Sequence, residues 1–541
     1  MIKILTSRSG RIYSVLGNRQ LNSAYDPEKE AIRFLDRQMG TKNPSTVILL
    51  GPALGYLNRE IKKRLPEVKL ISVFYSKLFY RYSGFYDDYY WYPGIGENLS
   101  SFFFRTIEET DLSDLMVIEW PPSAAALPEI SHKANQTLQG VLEEYNGNLL
   151  TTSVFGKKWI KNTFFNFLFT GSFLAPEHVS FSKHNFSVPI LVAASGVSLL
   201  KTLKLIESLK DNLFLIALPS SLRALLSEGL QPDLVITTDA GYYASYHLQV
   251  LKGKANIPVA MPFSAARGIW RTENPVFLLS QSTFFEETII KTSGLEALRL
   301  PANGTVSGTA LEFSLAISEN PIILAGLDLC WDDIVSHISP NSFELLLRER
   351  EYKTAPAYTK MFERALSFAP YRENLNSPDS DKIIRLSRTL RTYAEWFCRK
   401  SLTLPAGRVF RLEPSAVQLE GIKNITGDEL FSMCRRNGGF KKPELHNDIR
   451  QNSPPLSVRR DVSLKILSFW LDRLEAVSGK IERDNSLDTF TSDPLVMSIL
   501  YYIELSMFLK LKKSFTIDLA RNLIERARSF LETLLTKIET I

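Results

Sequence analysis

Three stretches of this chain combine small, hydroxyl-bearing and ionisable residues in an order suited to handling anions. In the first, Ala194-Ser195-Gly196-Val197-Ser198 follows the apolar run Ile190–Ala193 and precedes Leu199–Leu209, whose apolar residues recur at helical spacing. A tight turn there would aim the unpaired N–H groups and partial positive charge of a helix start at a phosphate. The same kind of turn also serves simply to pack a helix closely on a sheet. In the second, Asn303-Gly304-Thr305-Val306-Ser307-Gly308-Thr309 offers hydroxyls and backbone N–H groups before the helical run Ala310–Ser318. It reads either as a second anion cradle, suited to a diphosphate or a phosphate plus carboxylate, or as an N-capped helix with Ser307 or Thr309 as the cap. The third contains Asp328 at the end of the strand-like run Ile322–Leu327, and His337 nine residues later. A histidine on that loop can act as general base or, as an imidazolium, stabilise a leaving phosphate; a histidine on a surface loop also commonly has no role. Asp239, after the β-type run Leu234–Thr238, can position a nucleophile, ligate a metal or cap the next turn. The metal role has least support, because no second carboxylate stands in DxD spacing.

These residues need a scaffold that brings loop after loop to one edge. From about residue 187 to 422, strand-like runs (190–193, 234–238, 259–263, 276–280, 322–327) alternate with helical ones. This alternation predicts a doubly wound parallel sheet, with Ser195, Asp239 and Asp328 all beyond the carboxyl ends of strands, where ligands bind in such sheets. An earlier βαβ half-unit, strand 46–50, helix 56–65 and strand 69–74, predicts an N-terminal domain that is also α/β. The aromatic cluster 79–92 can stack on a sugar or base, or form a packed edge or partner surface. Trp159, Phe164, Phe165 and Phe167 predict the buried stripe of a helix joining two domains. The polar stretch 367–381 reads as a loop or lid, and 437–455 as a linker leading to amphipathic helices over 462–479, 493–511 and 514–538. The expected domains are therefore 1–170, an N-terminal α/β domain; 171–435, the central sheet; and 436–541, a helical domain.

Composition narrows the chemistry. With 64 Lys and Arg against 58 Asp and Glu, the net charge of +6 is a mild bias over 541 residues, and no long basic block points to nucleic acid. The three cysteines, Cys330, Cys398 and Cys434, are far apart, so neither a disulfide framework nor a zinc site is expected. The histidines His132, His178, His184, His247 and His446 form no HxxxH pair, and the absence of a GxSxG elbow argues against a serine hydrolase. No apolar segment long enough to span a membrane occurs and no signal-peptide pattern opens the chain, which places the protein in the cytoplasm, off the membrane.

Several segments together resemble the motility accessory factors, bacterial flagellin glycosyltransferases that transfer nonulosonic acids. VAASGVSLLKTL stands where that family has a glycine-rich GPSL turn; ALLSEGLQPDLVITTDAG, TVSGTALEFSLA and PIILAGLDLCWDDIVSH resemble its later strands and loops. VILLGPALGYLNREI, GNLLTTSVFGKKWIKNTFFN and RVFRLEPSAVQLEGI extend the resemblance over roughly residues 45–425. The family's central domain is in turn similar to sialyltransferases that use a CMP-activated donor on a Rossmann-like fold. The resemblance implies a CMP-nonulosonic acid of the pseudaminic or legionaminic type as donor, flagellin Ser or Thr as acceptor, and no cofactor or metal. It assigns Ser195, Gly196 and Ser198 to the nucleotide and Ser307, Gly308 and Thr309 to phosphate or carboxylate, with Asn303, Thr305 and Asp328 beside them in the binding site. His337 then falls to acid/base work, and Asp239 to orienting the acceptor or a ribose hydroxyl. The turn departs from GPSL by lacking its Gly-Pro pair, which puts donor choice in question. Two other readings share the fold: a hydroxymethylpterin pyrophosphokinase, although no Walker A lysine is present, and a flagellin-binding chaperone without a donor site.

Overall fold

The computed structural model describes residues 2–174, 188–269, 272–377, 380–436, 453–484 and 491–541. His178, His184, His446 and most of the expected linker 437–455 lie outside them. Two compact units emerge. One comprises Met1–Val154, Lys480–Ser492 and Ile499–Ala527; the other comprises Phe155–Gly479, Asp493–Ser498 and Arg528–Ile541.

The first unit opens on an antiparallel meander of β1 (Ile2–Thr6), β2 (Ile12–Leu16) and β3 (Arg19–Gln20). It then builds a parallel sheet from β4 (Thr46–Leu50), β5 (Lys69–Val73), β6 (Tyr89–Trp91) and β7 (Leu115–Glu119), in the order β6-β5-β4-β7. Val47, Ile48, Leu49 and Leu50 have no exposed surface, as expected of a strand covered on both faces. The aromatic cluster packs on itself: Tyr80 stacks on Tyr90 at 4.1 Å and on Tyr92 at 5.2 Å, while Phe79 is buried.

The second unit carries β8 (Phe173–Leu174), β9 (Ile190–Ala193), β10 (Phe214–Ala217), β11 (Leu234–Ile236), β12 (Val259–Pro262), β13 (Val276–Ser280), β14 (Leu298–Arg299), β15 (Ile322–Ala325), β16 (Trp331–Asp332), β17 (Tyr371–Ser377), β18 (Ser380–Leu386), β19 (Val409–Leu412) and β20 (Lys423–Ile425). The main sheet runs β14-β13-β12-β11-β10-β9-β15-β19-β20, with β8 also on β13, and its strand pairs are parallel. The chain winds outward from β9 to β14, then returns to β15 on the other side of β9. That reversal makes a topological switch point beyond the carboxyl ends of β9 and β15, where doubly wound sheets have their ligand-binding crevice. Ile190 pairs with Ile322 and Ala193 with Ala325, so the loops 194–198 and 326–330 leave the sheet at the same level.

Three local expectations need correction. The helix expected from Ala310 spans Val306–Ile317, which places Ser307, Gly308 and Thr309 in its first turn and Thr305 at the N-cap. The stretch 367–381 is the end of a helix, Ala357–Phe368, followed by the β17–β18 hairpin, whose pairing is satisfied by β16 on its far side. The run Leu199–Leu209 begins as a 3-10 turn over Val197–Thr202 and becomes α-helical only at Leu203. By contrast the aromatic stripe at 159–167 does lie on a core helix, Pro128–Phe169, with Phe164 and Phe167 fully buried.

Candidate functional site

At the crevice, the sequence places a glycine where no side chain fits. A Cβ on Gly196 would lie 2.4 Å from the Asp328 carboxylate and 2.5 Å from the carbonyl of Gly326. Asp328, 6% exposed, uses this space to receive the Ser198 N–H at 2.9 Å and the Ser198 hydroxyl at 2.5 Å. The Gly196 N–H is donated to the Gly326 carbonyl at 2.7 Å. Gly326 itself has φ +66°, in the left-handed region that favours glycine. The carboxylate thus sits at the start of the 197–202 turn as an internal anion, and Ser198 spends both its donors on it. Arg411, fully buried on β19, donates to the carbonyls of Leu327 and Val417 beside it. Burial weakens its hold on its proton and Asp328 opposes that effect.

The His337 loop is tied to the same turn, since Ile338 N–H donates to the Ser195 carbonyl at 2.8 Å. Asn341 continues the chain of bonds: its amide donates to the Ile338 carbonyl at 3.0 Å, and its oxygen caps the helix Ser342–Glu349 at Glu344 N–H, 2.9 Å. The structure therefore unites Ser195, Gly196, Ser198 and Asp328, and brings the His337 loop to them. The His337 ring lies 6.5 Å from the ring of His247, on the helix Tyr242–Leu248. Burial pushes both imidazoles down to about 4, His337 being depressed further by His247 and Arg364, and His247 by Arg223. Both are neutral at physiological pH.

The second loop forms its own cluster at the carboxyl edge. Thr305 shares a hydrogen bond with Ser307 at 2.9 Å, and the Thr309 hydroxyl donates to Asn303 Oδ1 at 3.1 Å. No side chain caps the helix, and the Asn303 amide nitrogen is buried without a partner. Asp239 stands apart. Its carboxylate accepts from Gly241 N–H at 2.6 Å and acts electrostatically on Lys158 and Tyr393, residues the sequence did not single out. No hydrogen bond or ion pair among the described residues joins Asp239 to His337, and no group of three or more His, Cys, Asp and Glu side chains among them is placed to hold a metal.

Known proteins resemble this chain in part. Residues 141–333 match the model of a family described as 6-hydroxymethylpterin diphosphokinase MptE-like. An uncharacterized protein of Treponema pallidum (strain Nichols) is 24% identical over 318 residues, which is 58% of this chain and 63% of that protein. The chain thus spans under two thirds of that relative's length. The fold is that of a solved MAf glycosyltransferase from Magnetospirillum magneticum AMB-1: the superposition covers 99% of this chain and 91% of the other, with a TM-score of 0.53 at 13% identity. The sequence-family match ends at Asp333, so it takes in Ser195, Asp239, the 303–309 loop and Asp328 but stops short of His337. No helix among the described residues is long and apolar enough to cross a membrane.

Two residues of this edge received no role from the sequence. His247 and Arg364 come near His337 only through the packing of two separate helices beside its loop, and no spacing in the chain relates them. A basic residue in an aromatic context, as Arg364 is in MFERALSF, was the available signal.

Proposed function

We propose that the protein is a glycosyltransferase that moves a nonulosonic acid from a CMP-activated donor to serine or threonine hydroxyls of flagellin. The observation on which this reading rests is the coupling of the His337 loop to the turn after β9 through Ile338 and Ser195; in this reading the neutral imidazole serves a nucleotide-linked substrate bound at that turn. The similarity of fold to a glycosyltransferase over nearly the whole chain is consistent with it.

In this reading Asp328, already an anion at the turn, suits the hydroxyls of a ribose or sugar better than a phosphate, which it would repel. The phosphate belongs instead at the uncapped start of the Val306–Ile317 helix, among Asn303, Thr305, Ser307, Gly308 and Thr309. As the bond from the sugar's anomeric carbon to phosphate breaks, that carbon becomes oxocarbenium-like and CMP leaves with the electron pair. The acceptor oxygen bonds to the carbon from the opposite face, with inversion, and its proton passes to His337. The free protein keeps that ring neutral, and the donor's negative charges would raise its basicity on binding. Asp239 would orient the acceptor.

The second reading, a hydroxymethylpterin diphosphokinase, is favoured by the match over residues 141–333. The two are compatible in ancestry, since the MptE-like domain belongs to the superfamily of the motility accessory factors. Purified protein incubated with flagellin and a CMP-nonulosonate should release CMP and add the sugar's mass to flagellin. AMP formed from ATP and the pterin, without CMP release from the sugar donor, would replace this reading with the second one.

A further inference from the structure

The helices Ser342–Glu349 and Ala357–Phe368 and the loop that carries His337 border a small, partly open cleft, lined by His337, Phe343, Glu344 and Arg364 among others. Arg364 is its unusual member. The guanidinium is stacked 4.0 Å over the ring of Phe343 and 5.0 Å from that of Phe368, which fixes its plane. Its Nε is buried without a hydrogen-bond partner. The acid lining the cleft, Glu344, is already engaged by Arg348 at 2.5 Å and by the Ser339 hydroxyl at 2.6 Å. Among the described residues no carboxylate pairs with Arg364. Burial accordingly weakens its hold on the proton, with only Tyr243 acting the other way.

A half-buried cation held rigid by two rings, facing this cleft and lacking a counter-ion among the described residues, costs folding free energy unless something else repays it. His337 lines the same cleft, and the nearby His247 has a buried Nδ1 that is also without a partner. The unmet donor of Arg364 and the His337 imidazole therefore face one space, with the His247 ring 6.5 Å from that of His337. We propose that this cleft is a subsite for an oxyanion, with Arg364 as its counter-ion and His337 as the flanking hydrogen-bonding group. The ligand's identity rests on the glycosyltransferase reading: with the phosphate at the start of the Val306–Ile317 helix, the oxyanion here is the carboxylate of the acidic sugar. Arg364 becomes a residue that holds the donor's charge next to His337, and the pairing would be charge-assisted and directional.

Isothermal titration calorimetry on the full chain tests this with CMP, free N-acetylneuraminic acid, CMP-N-acetylneuraminic acid, inorganic phosphate and ATP as probes. Arg364→Ala should weaken binding of the CMP-sugar by about tenfold or more, and Arg364→Lys by less. If the loss recurs with the free sugar acid the group held is the carboxylate; if it recurs with CMP it is the phosphate. Equal affinity of wild type and Arg364→Ala for the CMP-sugar overturns the subsite and leaves the glycosyltransferase reading standing. Arg364-dependent binding of phosphate or ATP, with none of the CMP-sugar, keeps the subsite and overturns that reading. Binding of no probe overturns both. Should Arg364→Ala fold poorly, phenylglyoxal labelling of the wild-type protein gives the same decision: ligand must protect Arg364 from modification, and labelling at an unchanged rate refutes the subsite.

Discussion

Gly196 and Asp328 divide one small space between them, and this arrangement controls the turn that follows β9. Gly196→Ala would drive a Cβ against the carboxylate and against a backbone carbonyl that cannot swing aside as a flexible side chain would. The turn or the 326–328 loop must move, so the variant should lose more than about 2 kcal/mol of stability and most binding of the proposed donor. Urea denaturation reads the first; a loss below about 0.5 kcal/mol would mean that the turn yields easily. The histidines give a second expectation, with a defined sign. His337 and His247 titrate near 4 in the folded protein against 6.5 for an ordinary histidine. Between those values the unfolded chain takes up protons that the folded one refuses, so stability falls as pH drops from about 6.5 toward 4. Above that window neither ring contributes any pH dependence. Calorimetric melting of His247→Gln between pH 7 and 4.5 should show a flatter fall in Tm than the wild type, and parallel curves would contradict the depressed value.

At the scale of elements, the His337 loop is held by Asn341 acting in two directions at once. Its oxygen closes the start of the Ser342–Glu349 helix and its amide holds the Ile338 carbonyl, whose own N–H reaches the Ser195 turn. Asn341→Ala removes both bonds from a residue that is only 5% exposed, and should cost about 1–3 kcal/mol. Asn341→Asp separates the two roles, because a carboxylate still caps the helix but repels the Ile338 carbonyl. It should recover most of the stability while kcat for the proposed sugar transfer stays low; full recovery of both would show that the loop needs only the cap. The strands that carry these loops were readable because covered parallel strands are short, uninterrupted apolar runs, as in Ile190–Ala193 and Ile322–Ala325. The start of the Val306–Ile317 helix was not, since a Gly-Thr-Val-Ser-Gly-Thr string has loop composition and is helical only because the helix packs on β9, β11 and β15. The hairpin 371–386 was hidden for a related reason: its pairing partner, Trp331–Asp332, lies far away in the chain.

Over the whole molecule, what the sequence conveyed well was whatever repeats locally: the alternation of strand and helix, and the turns at the carboxyl ends where Ser195, Asp239 and Asp328 stand. What it withheld was long-range meeting, such as Arg364 with His337, or the donation of both Ser198 donors to Asp328 across 130 positions. Arg459 is the strongest case within the second unit. It lies on the helix Leu456–Asp484, is 6% exposed, and donates through one nitrogen to the carbonyls of Phe167 at 3.0 Å, Leu168 at 3.3 Å and Thr170 at 2.6 Å. These are carbonyls at the end of the 42-residue helix Pro128–Phe169, where no further turn exists to satisfy them. A second nitrogen holds the Pro454 carbonyl at 2.6 Å. One guanidinium therefore terminates an element nearly 300 residues away, a helix C-cap supplied by a side chain rather than by glycine. Arg459→Met keeps most of the side chain's apolar stem but removes every donor, leaving several buried carbonyls unmet. The expected loss is about 3 kcal/mol or more, and Arg459→Lys, which can reach fewer carbonyls, should fall between the two. Hydrogen exchange localises the effect: amides over 160–170 should lose protection in Arg459→Met before the β9–β15 core does. If protection there is unchanged while global stability falls, Arg459 acts within its own helix and the long helix is terminated by something else.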